Sequence, residues 1–177
     1  VEDATRGMRM PRDLVASLLP GLRNSEEAAF NVFDVMRHGT HEKQISNVFG
    51  WLLDVHGSHQ LKDLFVRRFI EEVNRVRADS RPLGSGPYAI FQEVNTSPSE
   101  EGQDVADLVL ESDRERVVIE NYFTSDGHGH SFHGYLKFAR RDGRHGAVVL
   151  LCQHADSLRQ TEGWEAAPVL TYEELVT

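Results

Sequence analysis

Cysteine is nearly missing from this chain: Cys152 stands alone among 177 residues. A single thiol forms no intrachain disulfide, which excludes the disulfide-stapled scaffold of a small secreted domain. Set in the apolar run AVVLLC, Cys152 reads as a buried thiol in a reducing compartment, and a cytoplasmic protein is expected. Long apolar runs are missing too. None approaches the roughly 20 residues of a membrane span, so no membrane partner is expected. The first residues mix charged with small and apolar ones and lack the apolar segment of a signal peptide. Positive charge is in deficit: 19 Lys and Arg stand against 28 Asp and Glu, a net charge of −9. That argues against a nucleic-acid coat protein, which is usually basic. It leaves room for a metal site, which needs acids, with a local basic patch to guide phosphates. Internal repeats and long linkers are absent as well.

What remains is ordinary for a folded domain. The chain is 40% hydrophobic and 27% charged, and long enough to bury a core. The first ten residues read as a lead-in. A short helix is predicted over 11–19, and a second follows the capping signal Asn24-Ser25-Glu26-Glu27 and stops at Gly39. Apolar residues at helical spacing predict an amphipathic helix over 42–55, with Thr40 as its N-cap. Another is predicted over 59–76, with Lys62, Arg67, Arg68, Arg75 and Arg77 on its wet side. The segment 80–87 is a loop by composition.

Then the periodicity changes. Strands are predicted over 88–94, 105–111, 116–123 and 146–152, the last nearly all apolar and suited to burial on both faces. A helix is predicted over 132–141, a short strand over 169–172 and a helix from Glu173. The final TYEELVT reads as a helix cut short. Two helices followed by β-β-β-α-β describe a three-layer α/β arrangement with a mixed sheet.

The informative stretch is DVADLVLESDRERVVIENY, from Asp104 to Tyr122. Side chains alternate faces in a strand. Asp107 therefore shares a face with Val109, and Glu120 with Val118 and Tyr122. Two acids in strands that otherwise prefer apolar residues are costly unless paired or bound to metal. Converging from adjacent strands they would repel, and a divalent cation would relieve that. Asp104 is the alternative first acid.

D-L-V-L, a turn, then V-V-I-E-N-Y resembles the core signature of the PD-(D/E)XK nuclease superfamily, the restriction-endonuclease-like fold. The resemblance runs from about Glu42 to Tyr172. It implies an α/β/α core with a mixed central sheet over 40–177, preceded by an N-terminal helical extension over 1–39. It also implies a magnesium or manganese ion held by Asp107 and Glu120. Glu42, opening the helix before the hairpin, is the third candidate ligand; an acid in a first turn also simply suits the helix dipole. Glu93 is a weaker candidate. Where the family has Lys, this chain has Tyr122. Three explanations stay open: Lys137 or Lys43 substitutes from elsewhere in space, Tyr122 itself positions water, or catalysis is lost and binding kept. The Gln-Leu-x-x-Tyr helix motif of relatives would fall on Ser131, Phe132 and Tyr135, so its Gln is missing too.

His128, His130 and His133 read either as a polar loop at a groove, with His128 and His130 contacting phosphate or acting as base, or as a zinc cluster. Arg140, Arg141 and Arg144, with Lys137, form a basic cluster that suits both a helix C-terminus and a phosphate backbone. The expected function is metal-dependent hydrolysis of phosphodiesters, in DNA ahead of RNA, by an endo- or exonuclease with a non-standard site. Alternatives are a catalytically silent relative that binds nucleic acid, a partner protein or a second copy, and a zinc-binding histidine module.

Overall fold

Two apolar faces on one sheet decide the architecture. The computed structural model describes residues 42–97, 104–122, 130–155, 160 and 163–176, all within the unit Thr40–Thr177. The elements expected at 11–19 and 24–39, and the Thr40 cap, lie outside the described residues.

Helices α1 (Glu42–Leu53) and α2 (Leu64–Val76) lead into strands β1 (Ala89–Asn95), β2 (Val105–Glu111) and β3 (Glu115–Tyr122). Helix α3 (Phe132–Ala139) and a 3₁₀ turn at Arg141–Gly143 lead into β4 (His145–Cys152). A second 3₁₀ turn, Trp164–Ala166, precedes β5 (Val169–Thr171) and helix α4 (Tyr172–Val176). The strands lie in the order β1-β2-β3-β4-β5, with β1/β2 and β2/β3 antiparallel and β3/β4 and β4/β5 parallel. The mixed sheet expected from the element order is present.

One face of the sheet packs on α1 and α2 through Leu108, Leu110, Val117, Ile119, Val149 and Leu151, against Phe49, Leu53, Phe69 and Val73. The other packs on α3 through Val109, Val118, Val148 and Leu150, against Phe132, Tyr135 and Trp164. Strand β4 is buried along seven of its eight residues, as its unbroken apolar run predicts. Gly146 sits where α3 ends against β4: an added Cβ would lie 2.5 Å from the Ala139 carbonyl carbon, so only glycine allows that approach.

Two local expectations are corrected. The second helix begins at Leu64 and not at His59, because Gln60 and Lys62 take left-handed backbone angles, φ 62° and 54°, which interrupt a right-handed helix. Arg77 is not on a wet side. Its side chain is only 7% exposed, because its guanidinium turns inward to Asp79 at 2.8 Å, and burial lowers its pKa.

Candidate active site

The β2–β3 hairpin is closed by Ser112, whose N–H donates to the Glu115 carbonyl at 2.9 Å while its hydroxyl accepts from the Glu115 N–H at 3.0 Å. This turn sets the register. The regular pairing runs from Glu111 opposite Arg116 to Leu108 opposite Ile119, and Asp107 and Glu120 are the next residues of the two strands. Their neighbours Val109, Val118 and Tyr122 all belong to the α3-side core. Glu120 stands on that face, where the Tyr135 hydroxyl reaches it, and both acids are half-buried.

At this rung the ladder is irregular. The Asp107 carboxylate accepts a hydrogen bond from the backbone N–H of Asn121 at 2.7 Å. Across the other edge, Glu93 falls between the paired rungs Gln92/Leu108 and Val94/Ala106, with φ 52°. Ile90 and Leu108 pack on the α1 side, whereas Val94 and Ala106 pack on the α3 side. Both strands thus change face at the rung of Glu93 and Asp107. Glu93, with its left-handed backbone, stands at this change of face.

Tyr135, on α3, completes the arrangement. Its buried hydroxyl lies 2.8 Å from the Val105 carbonyl and 3.1 Å from the Glu120 carboxylate, and donates its one proton to this pair of acceptors. Burial raises the Tyr135 pKa well above the usual phenol range, and the negative charges of Glu120, Asp107 and Asp104 raise it further. It remains a phenol and acts as a donor, never as a base. Asp104, the alternative first acid, turns its carboxylate to His130 Nδ1 at 3.4 Å.

Asn121 is a polar residue that strand reasoning passed over. Its side chain is 2% exposed, donates to the Ser46 hydroxyl at 3.0 Å and accepts from the Tyr172 hydroxyl at 2.5 Å. It ties the end of β3 to α1 and to α4. Ser46 lies one helical turn after Glu42, so Glu42 occupies the preceding turn on the same flank of α1. The Glu42 side chain lies outside the described residues, as does His128.

The remaining predicted residues are placed as follows. Tyr122 is buried in the α3-side core, 7% exposed. Lys137 is exposed on α3, two residues and about 200° around the helix from Tyr135. Lys43 pairs with Glu93 at 3.1 Å, and both remain exposed. His130 is drawn to Asp104, while His133 is exposed on the first turn of α3.

The basic cluster divides. Arg141 donates to the Thr96 carbonyl at 3.0 Å and lies over the Phe138 ring. Arg144 donates to Ser112 O, Asp142 and Glu111. Arg140 remains exposed. His145, which starts β4, pairs with Glu115, five residues and roughly 16 Å from Glu120 along the strand. Arg144 therefore stands toward the far end of the sheet from the acids.

Among the described residues, no group of three or more His, Cys, Asp or Glu is arranged to hold a metal ion. Asp107 and Glu120 offer carboxylate oxygens alone. That set fits magnesium or manganese, which are commonly held by one or two carboxylates with water and phosphate filling the rest. It lacks the nitrogen and sulfur donors that zinc sites favour. Also among the described residues, no helix is long and apolar enough to cross a membrane.

A family model described as the PD-(D/E)XK nuclease superfamily matches residues 30–176. No curated protein and no solved structure matches the chain.

Proposed function

Because the chain belongs to the PD-(D/E)XK nuclease superfamily, we propose that it hydrolyses phosphodiester bonds with a divalent cation held by Asp107 and Glu120. The observation that carries the reading is the pair of bonds that hold these carboxylates at the end of the hairpin ladder, Tyr135 to Glu120 and the Asn121 amide to Asp107. Magnesium or manganese held there supplies Lewis-acid polarisation of a phosphate oxygen and a lowered pKa for a bound water. The protein's share is positioning. The Asn121 N–H fixes one carboxylate, the Tyr135 hydroxyl fixes the other, and burial beneath α3 keeps both in place. Glu42 joins from α1, and exposed Arg140 meets the phosphate backbone. Duplex DNA is the proposed substrate ahead of RNA.

A second reading, a nuclease fold kept for binding nucleic acid or a protein, draws on Tyr122. A buried phenol stands where relatives carry a cation. The test is cleavage of plasmid DNA and of RNA with manganese by the wild type and by Glu120→Gln. Metal-dependent cleavage lost in Glu120→Gln supports the enzyme. Nucleic-acid binding without cleavage in either protein supports the second reading.

A further inference from the structure

The ring that serves Glu120 also carries a histidine on its face. The imidazole of His130 stacks on Tyr135, with centroids 5.8 Å apart and planes inclined by 26°. Its Nδ1 faces the Asp104 carboxylate at 3.4 Å. Its backbone is fixed as well, since the indole N–H of buried Trp164 donates to the His130 carbonyl at 3.0 Å. Asp104 is held in turn. Its N–H donates to the Ser97 hydroxyl at 3.0 Å, and its carbonyl accepts from both the N–H and the hydroxyl of Thr96, at 2.8 and 3.0 Å. The His130 side chain nevertheless keeps 29% of its surface open.

The groups around the Tyr135 ring divide by what they can do with a proton. Asp107 accepts from the Asn121 amide, and Glu120 lies within bonding distance of the Tyr135 hydroxyl. Both are engaged as the proposed cation ligands. Tyr135 is a donor only. An imidazole that turns Nδ1–H to a carboxylate offers the lone pair of Nε2, the arrangement of a general base oriented by an acid.

We propose that His130, oriented by Asp104, is the general base of the hydrolysis assigned above. The water oxygen forms a bond to phosphorus while one water proton passes to His130 Nε2. The bond from phosphorus to the leaving oxygen breaks, and that oxygen takes a proton from solvent. His130 then returns its proton to solvent. The histidine thereby acts on the water, a chemical role distinct from contacting the phosphate backbone. The inference rests on the nuclease reading.

The experiment measures manganese-supported plasmid cleavage by wild type, His130→Ala and Glu120→Gln, with and without added imidazole, and manganese affinity by calorimetry. His130→Ala is expected to lose about a hundredfold or more in rate, to keep wild-type manganese affinity, and to recover part of the rate with imidazole. Should His130→Ala not fold, His130→Gln is expected to show the same loss. A histidine variant that cleaves at the wild-type rate, or His130→Ala that loses rate and does not respond to imidazole, overturns the role of His130. If Glu120→Gln is dead in that same experiment, the nuclease reading stands without it. A wild type that binds manganese and cleaves nothing overturns both.

Discussion

The Asp107 carboxylate accepts the backbone N–H of Asn121 at 2.7 Å, a side-chain bond at the rung where backbone pairing would otherwise continue. The two roles of Asp107 separate by substitution. Asparagine keeps an acceptor oxygen for the amide, so Asp107→Asn should stay folded and lose metal. Alanine removes that acceptor from a buried amide. Asp107→Ala should therefore lose about 1–3 kcal/mol of stability in urea unfolding, and Asp107→Asn clearly less.

Tyr135→Phe isolates the second carboxylate. The ring still packs between His130 and Trp164, but Glu120 and the Val105 carbonyl lose the Tyr135 hydroxyl. Outer contacts that orient metal ligands are typically worth 10–100-fold in affinity. Manganese affinity should fall by about tenfold, with a stability loss of about 1 kcal/mol. Unchanged affinity would show that the hydroxyl serves packing alone.

Much of this was legible in the sequence because strand periodicity is a strong signal. The alternation in VADLVLE and RVVIENY set Leu108 and Leu110 apart from Val109 and Val118, and the two cores follow that division. The apolar run of β4 announced a strand buried on both sides. Other features depend on contacts far apart in the chain. Asn121 reads as an unremarkable polar residue until Ser46 and Tyr172 arrive from either side. Arg141 and Arg144 read as a solvated helix end, yet their guanidiniums cap carbonyls and pair with acids. The change of face at Glu93 and Asp107 coincides with one left-handed residue, for which a glutamate in a strand gives no warning.

Tyr122 and Lys137 make a paired test. Lys137 is exposed on a side of α3 turned from Tyr135, so Lys137→Ala should leave cleavage unchanged. Tyr122→Lys puts a cation beside Glu120 and should raise cleavage by about a hundredfold, the usual worth of one preorganised charge contact at a transition state. It should also cost a few kcal/mol of stability, because Tyr122 is buried in the α3-side core. Plasmid cleavage by both variants decides the matter. Activity lost in Lys137→Ala would return the lysine to the site.

Glu174 gives a pH prediction apart from the chemistry. Its carboxylate accepts from the Thr171 N–H and hydroxyl and pairs with Arg75, with the Thr171 amide as the largest cause of a lowered pKa. A lowered folded-state pKa stabilises the fold above the ordinary glutamate value and ceases to do so as pH falls through it. Glu174→Gln should therefore melt below wild type at about pH 7, with the gap closing toward about pH 3. A gap that is constant with pH would mean that the carboxylate charge is not what holds α4 to β5.

The most direct measurement of the central claim is calorimetric titration of manganese into the wild type, Asp107→Asn and Glu120→Gln, each verified as folded. The wild type should bind manganese, and each variant should bind at least about tenfold more weakly, because half of the described donor set is gone. Equal affinity in all three proteins would place any bound cation elsewhere and contradict the site proposed for Asp107 and Glu120.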